Sequence, residues 1–477
     1  KIEEVELTSF RSEVPSPVRP SDGGVRGGPI TPEMVSKLLD DRPDDGIFRV
    51  DRTVFTDQDI FERELTHVFE GTWVFVGLES QLRKPNDFVT TYIGRHPVLI
   101  TKDGTGEIRC FFNTCRHRGA IVCPFKKGNQ KFHVCRYHGW SYDSAGKNVS
   151  MTDEKDGQYP PSFLADDHGL KPVPKIASYR GLLFASVSPD VPTLEEHLGD
   201  ARAFIDLVVD QGIEGLEFVD GNVSYTFDAN WKLQFENGLD YYHFASTHSS
   251  YIDVLKKREV RRGPLEVKPW NPTETDPDAQ GSFSLARGHA MMWSIHASRV
   301  YKLRPLNQDG KLLSTVQGQT REDKLKWMFR QRNLTIYPNL QIVDIGTLQL
   351  RTWRPLAPDK TEITSHCLAP VGESDEARRV RIRLYEDFFN PSGLATSDDN
   401  VMYELCQTGY GARFAGPTQG YARGLRPKSG EALNYSSELQ VSPDRWTYGA
   451  PLFGDETCFH SGYREWLRLM TRDPSEG

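Results

Sequence analysis

Short runs that alternate apolar and polar residues fill the chain between Asp87 and Val187, and helix-spaced patterns flank them on both sides. Phe88-Val-Thr-Thr-Tyr-Ile and Val98-Leu-Ile-Thr repeat with the period of two expected of half-buried antiparallel strands, and Gly181-Leu-Leu-Phe-Ala-Ser-Val187 closes the set. Upstream, Thr53 to Ser80 carries helix signals, with apolar positions at Phe61, Leu65, Val68, Phe69 and Val74. Downstream, a helix is predicted from Leu194 through Val209, then strands over Val219 to Phe227. Further strands are predicted at Leu334 to Ile336, Leu340 to Asp344, Thr347 to Trp353 and Glu362 to Leu368, and a helix at Ser374 to Phe389. The first 45 or so residues are punctuated by Pro15, Pro17, Pro20, Gly23, Gly24, Gly27, Gly28, Pro29 and Pro32, a spacing that breaks helix and strand alike and predicts an extended arm. No internal repeat is present.

Two metal-ligand hairpins sit in the strand-rich region: Cys115-Arg-His117 and Cys135-Arg-Tyr-His138. Zinc fingers usually present two cysteines and then two histidines, whereas here each hairpin offers one thiolate and one imidazole. That order suits a Rieske [2Fe-2S] cluster, with Cys115 and Cys135 on one iron and His117 and His138 on the other. A structural Cys2His2 zinc site is the alternative. Gly119 and Gly139 closely follow the two histidines and would let backbone approach the sulfurs, while Cys110 and Cys123 fall outside the spacing and read as buried small side chains.

About a hundred residues later comes Asp240-x-x-His243-x4-His248, inside the run Asn230-Trp-Lys to His248. Asp240 and His243 would share a helix face, but His243 and His248 lie about 140 degrees apart on an ideal helix, so the helix must end or widen there. Two imidazoles and one carboxylate on one face of iron(II) leave the opposite positions free for dioxygen and substrate, and a third, oxygen ligand is therefore wanted.

Composition narrows the classes without choosing among them. The 477 residues are 26% charged and 37% hydrophobic, enough for two sizeable cores, and the formal net charge of -8 argues against nucleic-acid binding. No run of about 18 apolar residues predicts a membrane span. Seven cysteines, two of them committed to metal, suggest a reducing compartment and hence the cytoplasm.

Taken together, the hairpins, Gly46-Ile-Phe-Arg49, Phe69-Glu-Gly-Thr-Trp73, Asn230-Trp-Lys232, Glu236-Asn-Gly-Leu-Asp240, Tyr337-Pro-Asn339 and Glu386-Asp-Phe-Phe-Asn390 give a plain resemblance. The chain resembles the large (alpha) subunit of Rieske non-haem iron aromatic-ring-hydroxylating dioxygenases, in the benzoate, toluate and anthranilate branch. The resemblance implies an α+β fold: a Rieske antiparallel β domain over 71–188 and, over 189–477, a catalytic domain of helix-grip type whose antiparallel sheet is surrounded by helices. Residues 1–45 would be the arm and 46–70 a helical lead-in belonging to the catalytic part.

It also implies roles. The third iron ligand would lie in a paired-Asp motif, here Asp398-Asp399; Asp399 matches the second Asp, with Asp398 as the alternative. Asp240 would hydrogen-bond both His243 and a cluster-ligand histidine of a neighbouring subunit, and Asn237 would lie near the iron. Expected partners are a small beta subunit and other alpha subunits, as an (alpha-beta)3 or alpha3 assembly, and a ferredoxin or flavin/iron-sulfur reductase that brings electrons from NAD(P)H. The implied reaction is cis-dihydroxylation of a small aromatic carboxylate, benzoate-like or anthranilate-like. Met291, Met292 and Trp293 align near the catalytic cavity, and the basic run Lys256 to Arg262 could draw anions to its entrance. Tyr241 and the segment from Arg258 to Gln280 depart from the branch, and no arginine can be named as carboxylate anchor. A Rieske monooxygenase or demethylase, an electron carrier and a zinc-stabilised binding module are the rival readings.

Overall fold

The computed structural model describes residues 30–157, 159–262, 280–295, 305–425, 435–448 and 456–472. Most of the expected N-terminal arm, and most of the segment between Arg258 and Gln280, lie outside the described residues. Two compact units are present, one built from residues 84–91 and 97–172, the other from 30–83, 92–96 and 173–472.

The first unit is built mainly of short antiparallel strands, with one short helix at Pro161–Ala165. One four-stranded sheet runs in the order Ile108–Phe112, His96–Lys102, Asp87–Ile93, Lys127–Asn129, and a three-stranded sheet in the order Asn148–Ser150, Ser141–Asp143, Phe132–Val134. Phe88, Leu99, Phe111, Trp140, Tyr142 and Leu170 fill its core together with Cys115, Cys123 and Cys135. Cys110 is buried as well, and burial pushes its thiol pKa far up, as befits a small apolar side chain.

The second unit is organised on a nine-stranded antiparallel sheet. Its order is Leu216–Phe218, Lys360–Pro370, Leu348–Ala357, Leu340–Asp344, Gln331–Ile336, Ala290–Ser294, Gln280–Ser284, Arg445–Tyr448, and Val223–Phe227 also pairs with Lys360–Pro370. Alternation divides the labour of its faces. Leu334, Ile336, Ile342, Leu348, Leu350 and Leu368 point one way, into an apolar core shared with the helices Ala201–Val209 and Glu322–Phe329. The residues between them, Asn333, Thr335, Gln341, Gln349, Arg351 and Ser365, are polar and nonetheless buried on the other face. A cavity of about 220 Å³ lies on the apolar side, against Ile342, Leu350 and Leu368, and so away from the polar face.

Several expected elements differ in extent. Thr53 to Ser80 is not one helical stretch: Gln58–Glu64 is α-helical, Leu65–Phe69 widens into a π turn, and Val74–Leu78 is a fully buried strand paired with Leu182–Ser186. The expected helix from Leu194 to Val209 breaks in two at Gly199, whose φ of 48° and ψ of -131° leave the helical region. The expected Val219 to Phe227 strand shortens to Val223–Phe227, with Leu216–Phe218 preceding it. The Ser374 helix runs Asp375–Phe388, with the Ser374 side chain accepting from the Ala377 N–H as N-cap.

A buried knot ties distant parts of this unit. Glu64 accepts hydrogen bonds from Trp231 Nε1 (2.8 Å) and Trp466 Nε1 (2.7 Å) and from Lys232 Nζ, and both charged side chains are about 1% exposed. It joins the helices Gln58–Glu64, Trp231–Asn237 and His460–Met470.

Candidate metal centres

The two hairpins of the first unit share one wiring. Cys115 N–H donates to Ala120 O (2.7 Å) and Gly119 N–H returns to Cys115 O (2.9 Å); Cys135 N–H donates to Trp140 O (2.8 Å) and Gly139 N–H returns to Cys135 O (2.9 Å). Both glycines stand at left-handed φ, 77° and 74°, which is why glycine follows each ligand pair. Cys115 and Cys135 are buried and interact with each other, while the His117 and His138 rings meet edge to face, centroids 4.5 Å apart, near the surface. Thiol beside thiol and imidazole beside imidazole is the donor arrangement a two-iron cluster needs, and a single tetrahedral zinc would not need it.

Sequence reasoning passed over two supports here. Trp140 stacks on His117 at 5.1 Å, and Tyr142 OH lies 3.3 Å from Cys115 Sγ and accepts from the Arg116 N–H. Their signal is positional only, since Trp140 directly follows Gly139 and Tyr142 stands three residues beyond it. Burial raises the Cys135 thiol pKa, opposed by the backbone N–H groups of Tyr137 and His138. Desolvation and the nearby His117 and Arg118 lower that of His138, which favours the neutral ring a ligand requires.

In the second unit the helix Trp231–Asn237 starts at Asn230, whose side chain accepts from the Lys232 N–H (3.1 Å). It ends at Asn237, and just beyond it the Gly238 carbonyl accepts from Asn333 Nδ2 (2.9 Å) while the Gln341 amide fills the space that a side chain on Gly238 would need. Asp240 and His243 therefore do not share a helix face as expected; both lie in the turn that follows. His243 and His248 bracket the one-turn helix Phe244–Thr247, and Ser249–Arg262 begins beyond it. The basic run Lys256 to Arg262 occupies the end of that helix.

The turn brings the ligand candidates to one point. His243, His248 and Asp399 each offer an atom within 4.8 Å of the others. His248 Nε2 is 3.2 Å and His243 Nε2 3.6 Å from Asp399 Oδ1. Asp398 and Asp399 occupy the first turn of the helix Thr396–Tyr410 and point apart: Asp399 is buried in the group, whereas Asp398 is half-exposed and 3.7 Å from His248 Nδ1. Asn237 Nδ2 donates to Asp399 Oδ1 (3.1 Å) and lies 3.4 Å from His243 Nε2. Asp240 stands on the far side of the His243 ring, its Oδ2 3.7 Å from Nδ1. Burial opposes the charged form of His243, but Asp240 and Asp399 outweigh it and raise its pKa. Phe244 and Phe388 flank His248 at 5.5 and 5.7 Å, and Phe388 packs on Tyr251 at 4.8 Å. Phe388 lies in the quoted Glu386-to-Asn390 motif, yet nothing in the sequence marked it as facing the site. Met291 and Trp293 point into the apolar core and Met292 to the opposite, polar face.

Both donor sets fall within regions that match known protein families. The Rieske [2Fe-2S] domain family matches residues 72–172, and the ring hydroxylating alpha subunit catalytic domain matches residues 217–433. The chain belongs to the family of ring-hydroxylating dioxygenase alpha subunits. Within that family it is 42% identical to toluate 1,2-dioxygenase subunit alpha of Pseudomonas putida over 79% of this chain and 82% of that one. It is 39% identical to 2-halobenzoate 1,2-dioxygenase large subunit of Burkholderia cepacia (92% and 93% covered) and 37% identical to anthranilate 1,2-dioxygenase large subunit of Acinetobacter baylyi (92% of each). Among solved structures, naphthalene 1,2-dioxygenase of Rhodococcus sp. superposes with a TM-score of 0.75 at 26% identity, covering 93% of this chain and 98% of that one. As a member of this family the protein is an oxidoreductase that carries a Rieske [2Fe-2S] cluster and a mononuclear iron, with NAD(P)H acting through a reductase. Among the described residues, no helix is long and apolar enough to cross a membrane.

Proposed function

We propose that this chain is the terminal oxygenase large subunit that cis-dihydroxylates a benzoate-like or anthranilate-like aromatic carboxylate. In this reading Cys115, Cys135, His117 and His138 hold the cluster, and His243, His248 and Asp399 hold the iron. The observation that carries it is the convergence of two imidazoles and one carboxylate beside a polar sheet face. When bound, the cluster supplies electrons singly and the iron supplies dioxygen activation. The overall change is balanced as aromatic carboxylate, O2, NAD(P)H and a proton giving the cis-diol carboxylate and NAD(P)+.

The chain's own residues position and insulate. Asn237 donates to Asp399 and fixes which carboxylate oxygen faces the two imidazoles. Asp240 steadies the His243 ring from behind, setting its tautomer and basicity. With about a fifth of its side chain exposed, Asp240 is also open to a cluster-ligand histidine of a neighbouring subunit, which supports an (alpha-beta)3 or alpha3 assembly. Phe244, Tyr251 and Phe388 supply apolar surface that keeps water from the substrate ring. Seven cysteines outside any disulfide, six of them buried and two assigned to the cluster, favour the reducing cytoplasm.

The test is oxygen uptake with a reductase and NAD(P)H against benzoates, anthranilates, salicylates and phthalates, with products identified under mixed-isotope dioxygen. Both hydroxyl oxygens are expected from one O2 molecule; a single labelled oxygen would make the enzyme a monooxygenase.

A further inference from the structure

The sheet face turned toward the iron ligands has a register that can be read directly. Met292, Asn333, Val343, Gln349 and Cys367 stand in one row across five strands, and Ala290, Thr335, Gln341, Arg351 and Ser365 in the next. Three contacts place this face under the ligand-bearing segment: Asn333 and Gln341 on Gly238, and Arg351 Nη1 to Gln234 Oε1 at 3.2 Å. Val343 and Cys367 pack with Phe389 and with Phe388, the ring beside His248.

Two features of this floor are left open. Among the described residues four arginines are buried, and Arg330, Arg332 and Arg381 each meet a carboxylate, from Glu438, Asp344 and Glu373. Arg351 forms no contact ion pair, the Asp399 carboxylate favouring its charge only from a distance, and its Nε has no hydrogen-bond partner. A buried cation without a contacting anion carries a desolvation cost, and an incoming carboxylate would offset it. Beside it Gln349, fully buried, donates to Ser365 Oγ (2.7 Å), which in turn contacts Tyr385 OH (2.8 Å), while Gln349 Oε1 meets no donor. Half a rotation of that amide turns its N–H2 outward and leaves Oε1 to accept from the Ser365 hydroxyl. No acidic side chain shares these two rows.

We propose that Gln349, with the Ser365 and Tyr385 hydroxyls beside it and the Arg351 guanidinium behind, receives the substrate carboxylate and so determines which edge of the ring faces the metal. This rests on the aromatic-carboxylate reading and names its anchor: neutral donors make the contact and a withheld positive charge provides the field. The Val343 and Phe388 surfaces take the ring itself.

The test is titration of benzoate into the intact holoenzyme by calorimetry, in wild type, Q349L and Q349E, with iron content and cluster absorbance as controls. Q349L is expected to weaken benzoate binding about tenfold and Q349E more, because it adds an anion, and the diol regiochemistry should loosen in both. Binding equal to wild type in both variants overturns the proposal, and so does equal weakening in the two, which would mark a structural role. Should the Gln349 variants fail to fold, Y385F removes one hydroxyl alone and is expected to weaken benzoate while leaving the metals in place; unchanged binding there overturns the proposal as well. A wild-type enzyme that neither binds nor oxidises any benzoate would remove the substrate reading itself, a result visible before any variant is made.

Discussion

Asp240 has two neighbours to satisfy, the His243 ring at 3.7 Å and the solvent-facing side where a partner subunit would come. Asp240→Asn keeps size and loses charge. It is expected to retain cluster absorbance and iron content while turnover falls about 100-fold, measured as oxygen uptake; near-normal turnover would dismiss the proposed link from His243 to a cluster-ligand histidine of a neighbouring subunit. Four residues earlier, burial raises the Glu236 pKa to about 7, against hydrogen bonds from the hydroxyls of Tyr463 and Tyr421, and with Glu456 and Asp240 adding repulsion. An unfolded glutamate ionises near the ordinary 4.5, so between 4.5 and 7 the native chain holds the extra proton and its stability declines as pH rises. Glu236→Gln is expected to flatten that decline, checked by thermal midpoints at intervals across this window. The candidate ligand cysteines and histidines stand out by their spacing and by following one another along the chain, because ligand chemistry admits few residue types. Gln349 and Arg351 were not, since a buried polar residue in a strand looks the same on paper as an exposed one until register assigns its face.

The turn after the helix Trp231–Asn237 depends on Gly238 for space alone, as its φ of -72° is ordinary. A methyl group there would overlap the Gln341 amide. Gly238→Ala is expected to displace the segment carrying Asn237 through His243 and to lower bound iron several-fold, with Gln341→Ala in the same chain restoring part of it; iron analysis of the single and double variants decides. Strand positions that alternate in polarity were readable in advance, including Leu334 to Ile336. Val74–Leu78 was misread because all five of its residues are buried, and a strand covered on both faces shows no period of two. An interruption was anticipated between His243 and His248, which are five residues apart, but the helix ends earlier, at Asn237, and the Asn333 and Gln341 side chains that meet Gly238 there come from strands about a hundred residues away.

At the level of the whole chain, both metal centres and the mixed α+β class were legible, whereas the packing that fastens remote segments together was not. The Glu64 and Lys232 pair is the clearest case. Lys232→Met would leave the Glu64 carboxylate buried with only two indole donors, and a loss of about 3 to 5 kcal/mol is expected in denaturant unfolding of the catalytic unit followed by tryptophan fluorescence. A loss under about 1 kcal/mol would show that the indoles suffice.

The same knot sets a timetable for biosynthesis. The hairpins that bear Cys115 and Cys135 draw all their core partners from residues before 173, so that unit can close while the ribosome is still translating the remainder. The helix leading into His243 waits for the indole of Trp466, which lies far downstream of it in the sequence. Nascent chains halted before that tryptophan should therefore acquire the brown colour of the cluster before they can retain the second metal.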